Sequence, residues 1–175
     1  MSTPSGWEGI LDDDEEIRWQ GRPDGALVWK ASHIFTGLFG LAFAGFALFW
    51  MIMASQAGGG FWAFGLIHFF VGLSIGIAPP FWNVYKRRNS WYTLTNRRAL
   101  IATDLPLLGR KLKSYPISKD TVLEFNSGNP ASIIFASERR RGKNGTYKVK
   151  IGFERIVEGQ QVYRMIRDIQ KDIPT

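Results

Sequence analysis

Residues 34–54 read IFTGLFGLAFAGFALFWMIMA, an unbroken run without a charge. As an α-helix this run spans about 31 Å at about 1.5 Å per residue, the thickness of a bilayer core. A second uncharged run, FWAFGLIHFFVGLSIGIAPPFW, occupies 61–82, and only Ser55-Gln56-Ala57-Gly58-Gly59-Gly60 separates the two. Two such spans with so short a connection predict a transmembrane helical hairpin over 34–82. Two other readings compete with it. A secretory signal would be shorter and follow a basic segment, whereas the acidic stretch 12–16 precedes the first run. A buried helical hairpin of a soluble protein would show one apolar stripe, whereas both runs are apolar all round.

Orientation follows from the lysines and arginines at the span ends. Lys30 precedes the first span, Lys86-Arg87-Arg88 follow the second, and 55–60 carries none. Both termini are therefore expected in the cytoplasm, with the chain a multi-pass protein of a bacterial inner membrane. Trp29, Trp82, Tyr85 and Trp91 are the expected anchors at the inner interface, and Trp50, Phe61 and Trp62 those at the outer one. Gly40-x-x-x-Ala44 and Gly72-x-x-x-Gly76 place small residues one turn apart, which predicts close packing of the two helices on each other or, alternatively, a dimer face. His68 falls in the outer half of the second span. Its ring needs a partner there, and a neighbouring carbonyl or hydroxyl is expected, since no second ligand for a metal or haem is visible. Pro79-Pro80 is expected to kink or end the second helix.

The remainder of the chain differs in kind. Residues 1–85 carry a net charge of −4 and residues 86–175 one of +11, which makes +7 over 175 residues. So basic a half calls for an acidic partner: phospholipid, acidic protein or nucleic acid. With no cysteine at all, disulfides, thiolate metal sites and cysteine nucleophiles are excluded. Only His33 and His68 supply imidazoles, so neither a metal site nor a cofactor is expected.

After Arg88 the apolar saturation gives way to short runs punctuated by turn residues. Segments 91–95 and 99–103 flank Asn96-Arg97-Arg98 and read as a β-hairpin. Further strands are expected at 112–117, 121–125, 131–136 and 146–153, with 137–145 a loop. An amphipathic helix over 158–171 closes the chain, with Val162, Met165, Ile166 and Ile169 on one face. A seventh strand is expected at 15–20, where Glu15, Ile17 and Trp19 alternate with Glu16, Arg18 and Gln20 on the same side of the bilayer. The domains are then an N-terminal segment (1–33), the hairpin (34–54 and 61–82) and a cytoplasmic domain (88–175).

These residues carry a family likeness. Glu15-Glu16-Ile17-Arg18-Trp19-Gln20-Gly21-Arg22-Pro23, a transmembrane hairpin, then Tyr92-Thr93-Leu94-Thr95-Asn96-Arg97-Arg98 and a basic strand ending Ser114-Tyr115-Pro116 follow one another in order. In this the chain resembles, over about residues 11–170, bacterial membrane proteins with pleckstrin-homology-like domains. The resemblance implies an α+β membrane protein: the helical hairpin plus an antiparallel β-barrel or sandwich, closed or nearly closed, capped by the C-terminal helix. It implies no catalytic activity. The Lys/Arg spacing by which eukaryotic pleckstrin-homology domains grip phosphoinositides is not matched here, so headgroup specificity is not carried over.

Motifs of known chemistry are missing. There is no G-x-S-x-G, no G-x-x-x-x-G-K-[ST], no H-E-x-x-H and no dinucleotide fingerprint. The acidic run 12–16 lacks the turn-forming glycine of a cation loop and reads as a solvated segment, or as an electrostatic partner of the basic domain if it folds back. The densest positive cluster, Glu138-Arg139-Arg140-Arg141-Gly142-Lys143, reads as an exposed hairpin loop. Arg139, Arg140, Arg141 and Lys143, with Arg110, Lys111 and Lys113 on the preceding basic strand, are the candidate contacts for anionic lipid headgroups or an acidic protein. Nucleic acid is disfavoured, because aromatic stacking residues are not interleaved with these cations. The expected function is a non-catalytic module on the bilayer that scaffolds or helps assemble a membrane protein complex, with a membrane protein or a second copy as partner. The alternative is an enzyme, or enzyme subunit, with an unrecognised site.

Overall fold

The computed structural model describes residues 6–106, 108–142 and 145–173. The chain divides into two units, one formed by residues 25–86 and the other by the segments before and after them.

The first unit is a helical hairpin. α1 (Ala31–Gln56) and α2 (Phe64–Arg88) are joined through a 3-10 turn at Phe61–Ala63, and each helix runs a few residues beyond its uncharged stretch. Gly58 and Gly59 reverse the chain with φ of +76° each, a region L side chains avoid. The small-residue pairs pack the two helices against each other within this one chain. A Cβ on Gly40 would fall 2.5 Å from the Gly72 carbonyl oxygen, and one on Gly72 would fall 2.7 Å from the Ala44 nitrogen. Side chains larger than hydrogen at those two positions would push the backbones apart. Outside this seam the surface is open: only 17% and 11% of the most apolar stretches of the two helices are buried.

Of the two expectations for Pro79-Pro80, a kink or an end of the second helix, the end is corrected, because α2 continues through both prolines to Arg88. The prolines remove two donors from the ladder, so the carbonyls of Ile75 and Gly76 lose their usual partners while the turns on either side hold the helix together.

Among the described residues the second unit comprises seven strands and one helix. β1 (Ile17–Gly21), β2 (Ser90–Thr95), β3 (Arg98–Leu105) and β4 (Gly109–Pro116) form an antiparallel sheet in that order. β1 pairs with β2 from Ile17 opposite Thr95 to Gly21 opposite Tyr92, with an irregularity between Ile17 and Trp19. β5 (Glu124–Asn126), β6 (Ala131–Gly142) and β7 (Gly145–Ile156) form a second antiparallel sheet. α3 (Gly159–Asp172) follows and turns Val162, Ile166 and Ile169 into the core. There they meet Tyr92, Leu94 and Ala99 of the first sheet and Ile133, Phe135 and Phe153 of the second. Phe153 is the centre of the aromatic packing, with ring centroids 4.9 Å from Tyr92, 5.0 Å from Phe135 and 5.4 Å from Trp19.

Of the expected barrel or sandwich, the closed barrel is not formed: the strands make two separate sheets sharing a core, because residues 117–123 are irregular and β5 is too short to carry a ladder from β4 into the second sheet. One further expectation fails. The loop expected over 137–145 is strand wherever it is described: β6 continues through Arg139, Arg140 and Arg141 to Gly142, and β7 begins at Gly145. Its charges hide the strand pattern because both faces of this two-stranded ribbon are exposed, so no apolar alternation marks it.

Candidate functional site

The ribbon formed by the far halves of β6 and β7 is the candidate site. Its register sets Ser137 opposite Lys150, Arg139 opposite Lys148 and Arg141 opposite Thr146. Residues that alternate along a strand share a face, as do cross-strand partners. Arg139, Arg141, Lys148 and Lys150 thus share one face, and Glu138, Arg140, Tyr147 and Val149 the other. The four cations that read as one loop cluster are thereby split. Arg139 and Arg141 stand on the first face, Arg140 on the second, and Lys143 lies outside the described residues.

On the second face Glu138 gathers cations from both sheets. Lys113 Nζ donates to its two oxygens at 2.6 and 2.8 Å, the Tyr115 hydroxyl donates at 2.6 Å and Arg140 at 3.2 Å. These donors, Lys113 first, hold the Glu138 carboxyl down at about 2. Burial, with the bond to Glu138, pushes the Tyr115 hydroxyl above its ordinary value. Lys113 is therefore committed to joining β4 to β6, and Arg140 to a contact within β6. Arg110 is paired with Asp104 at 2.9 Å, an exposed contact of small energetic weight.

On the first face Lys150 is paired with Glu124 at 2.7 Å. Arg139, Arg141 and Lys148 have no ion pair among the described residues, and neither has Lys111. Lys148 is a cation the sequence reading missed, since only the register of β7 against β6 places it directly across from Arg139. Like charges set directly opposite each other across strands disfavour folding, and an anion seated between them removes that penalty.

The acidic run does fold back onto the basic domain. Arg97 meets Asp14 at 3.4 Å and Asp12 at 3.9 Å. Glu15 is not solvated: its side chain is fully buried and takes Arg98 Nη2 at 2.6 Å, Arg98 Nε at 2.8 Å, Thr95 Oγ1 at 2.6 Å and the Asp12 amide at 3.1 Å. Burial alone would raise its pKa, but these donors outweigh it and hold the carboxyl at about 2. The Glu15, Thr95 and Arg98 of the quoted motifs are thus the fastening of the N-terminal segment onto the β2–β3 turn. A second fastening lies where the chain leaves and re-enters the domain. Arg155, at φ +53°, pairs with Asp24, and Arg87 Nε donates to the Asp24 carbonyl at 3.0 Å.

Of the expected interface anchors, Trp50 packs edge-on against Phe61 at 5.3 Å beside the interhelical turn, and Trp82 lies 5.9 Å from Tyr85 near the other end of the hairpin. Trp29 and Trp62 are exposed. Lys86 and Arg88 sit with Arg87 in the last turn of α2. His68 Nδ1 lies 3.3 Å from the Phe64 carbonyl, one turn back along its own helix.

Among the described residues no group of three or more His, Asp or Glu is placed to hold a metal ion. A surface hollow of ≈ 840 Å³ borders the start of α3 and is lined by Ser127, Asn129, Gln160, Gln161 and Arg164 among others. None of the groups with displaced pKa values lines it. No protein-family model, curated protein or solved structure matches this chain.

Proposed function

We propose that this chain is a non-catalytic module of the bacterial inner membrane, in which the α1–α2 hairpin crosses the bilayer and holds a pleckstrin-homology-like domain at the cytoplasmic face. There it scaffolds, or helps assemble, a membrane protein complex. The observation that carries the reading is the pairing of β1 with β2. The chain leaves a folded unit after Asp24 and re-enters it at Arg87, so whatever lies between must start and finish on one side. Two antiparallel apolar helices with open surfaces meet that condition by crossing twice. Lys86, Arg87 and Arg88 support the cytoplasmic side. The four-plus-three arrangement of antiparallel strands, followed directly by a helix, supports the pleckstrin-homology-like assignment. Arg139, Arg141 and Lys148 then offer their unpaired charge to an acidic surface of a membrane protein in the same bilayer.

Reporter fusions after Gly59 and after Thr175 test the topology. The first should report the outside and the second the cytoplasm, and one shared compartment overturns the double crossing. Capture of the tagged full-length chain from mild detergent, with mass spectrometry, tests the scaffold. A partner should be retained by the wild type, released by high salt, and lost with Arg139→Gln, Arg141→Gln and Lys148→Gln combined. Equal retention by both proteins removes the ribbon from the interface.

A further inference from the structure

We propose that the tip of the β3–β4 hairpin is a second membrane contact, which seats in the interfacial layer of an anionic leaflet beside the end of α2. This rests on the reading that α2 ends at a membrane surface. The tip carries two ordinary turn residues, Pro106 and Gly109, but Leu108 stands where a turn usually places Asn, Asp or Ser. Here β3 ends at Leu105, Pro106 and Leu108 lie in the turn, and Gly109, at φ +72°, begins β4. Leu108 is 53% exposed.

One backbone hydrogen bond places the tip. The Asp104 amide donates to the Asn89 carbonyl at 3.0 Å, and Asn89 directly follows Arg88, the last residue of α2. The tip therefore lies at the end of the sheet where the chain arrives from α2, while the β2–β3 turn lies at the opposite end. The sheet continues the apolar surface away from the tip. Trp91, Ala102 and Leu112 stand directly opposite one another across β2, β3 and β4, and Leu112 is 44% exposed. Trp7 and Ile10 of the N-terminal segment border the same hollow, of ≈ 410 Å³.

Cations fringe it. Arg22 lies over the Trp91 ring at 4.5 Å, Lys111 has no ion pair among the described residues, and the Arg110 pair with Asp104 is exposed enough to be exchanged for a phosphate. Exposed leucine and tryptophan with arginine and lysine at the margin is the chemistry of the bilayer interface: the apolar groups leave water while the charges reach headgroups. A water-facing tip would keep Leu108 and Leu112 hydrated at a cost that insertion relieves.

The chain has no cysteine, so single cysteines can be introduced at Leu108, at Val122 and at Ile67. Val122 is equally apolar and 83% exposed, but it follows Ile117, whose amide bonds to Arg97 at the opposite end of the sheet. Ile67 lies within α2. Each variant, as the full-length chain carrying an environment-sensitive dye, is placed in nanodiscs of phosphatidylcholine and phosphatidylglycerol containing lipids spin-labelled at shallow and deep positions. Dye at 108 and at 67 should lose fluorescence to the spin labels and dye at 122 should not. Quenching at 67 with none at 108 overturns the second contact and leaves the crossing standing, whereas no quenching at either position overturns both. Arg110→Gln with Lys111→Gln, or discs of phosphatidylcholine alone, should reduce quenching at 108. Quenching unchanged by both overturns the requirement for an anionic leaflet.

Discussion

Glu15 shows how a residue that reads as one more acid in a solvated run becomes a structural fastening. Its carboxyl is held near 2 against an ordinary value of 4.5, so the folded state binds its proton more weakly than the unfolded chain. The stability this contributes is complete above about pH 4.5 and is lost as pH falls toward 2. Glu15→Gln should flatten the acid limb of the stability profile over that window, as measured by denaturant unfolding of the detergent-solubilised chain. Arg98→Ala should cost on the order of 3 kcal/mol near neutral pH, because it leaves a buried carboxylate without its bidentate partner. Equal loss of stability in the wild type and Glu15→Gln between pH 4.5 and 2 would assign the acid limb elsewhere, with Glu138 the next candidate.

At the scale of elements, the β6–β7 ribbon separates two uses of positive charge. Lys113 meets Glu138 across the seam between the sheets and Arg140 meets it along β6, whereas Arg139, Arg141 and Lys148 crowd one face with no ion pair among the described residues. Replacing the latter three by Gln should leave the melting temperature unchanged or slightly raised, since exposed substitutions change stability by about ±0.5 kcal/mol each and the like-charge pair is relieved. Lys113→Gln with Arg140→Gln should lower the melting temperature and bring the Glu138 carboxyl back up toward 4.5 in a carbon-detected NMR titration. A Glu138 titration midpoint that stays near 2 in that double variant would show that the Tyr115 hydroxyl alone suffices.

For the whole molecule, one prediction follows from the way the domain is divided around the hairpin. The stretch 88–175 is not a self-sufficient unit, because β1 covers the edge of β2, Trp19 packs on Phe153 and Glu15 is buried among Thr95 and Arg98. Deleting residues 1–22 should expose the Tyr92–Leu94 edge and make the two-sheet domain sensitive to protease at concentrations the full chain survives. Unchanged protease fragments would mean that β1 adds nothing to the fold. The chain leaves and re-enters this domain at Asp24 and Arg87, and Asp24 ties the two passages together, pairing with Arg155 and accepting from Arg87.

Residues 34–54 and 61–82 declare two apolar helices because a helix uniformly apolar over so great a length needs no context to be recognised, and the alternation of Ile17 and Trp19 and of 91–95 likewise marks strands with one buried face. Gly40 and Gly72 are legible as a seam for the same reason, since spacing of small residues is a local property. What sequence could not reach depends on partners far along the chain. The burial of Glu15 requires Arg98 to be brought to it, the pairing of Lys113 with Glu138 requires two sheets to meet, and the juxtaposition of Arg139 with Lys148 requires a register. Each is an electrostatic contact between residues 9 to 83 positions apart, and charge alone carries no address. The strand through Arg139, Arg140 and Arg141 and the helix through Pro79 and Pro80 were decided the same way: local composition argues for a loop and a break, and the backbone pairing of β7 and the cooperativity of the α2 ladder outweigh it.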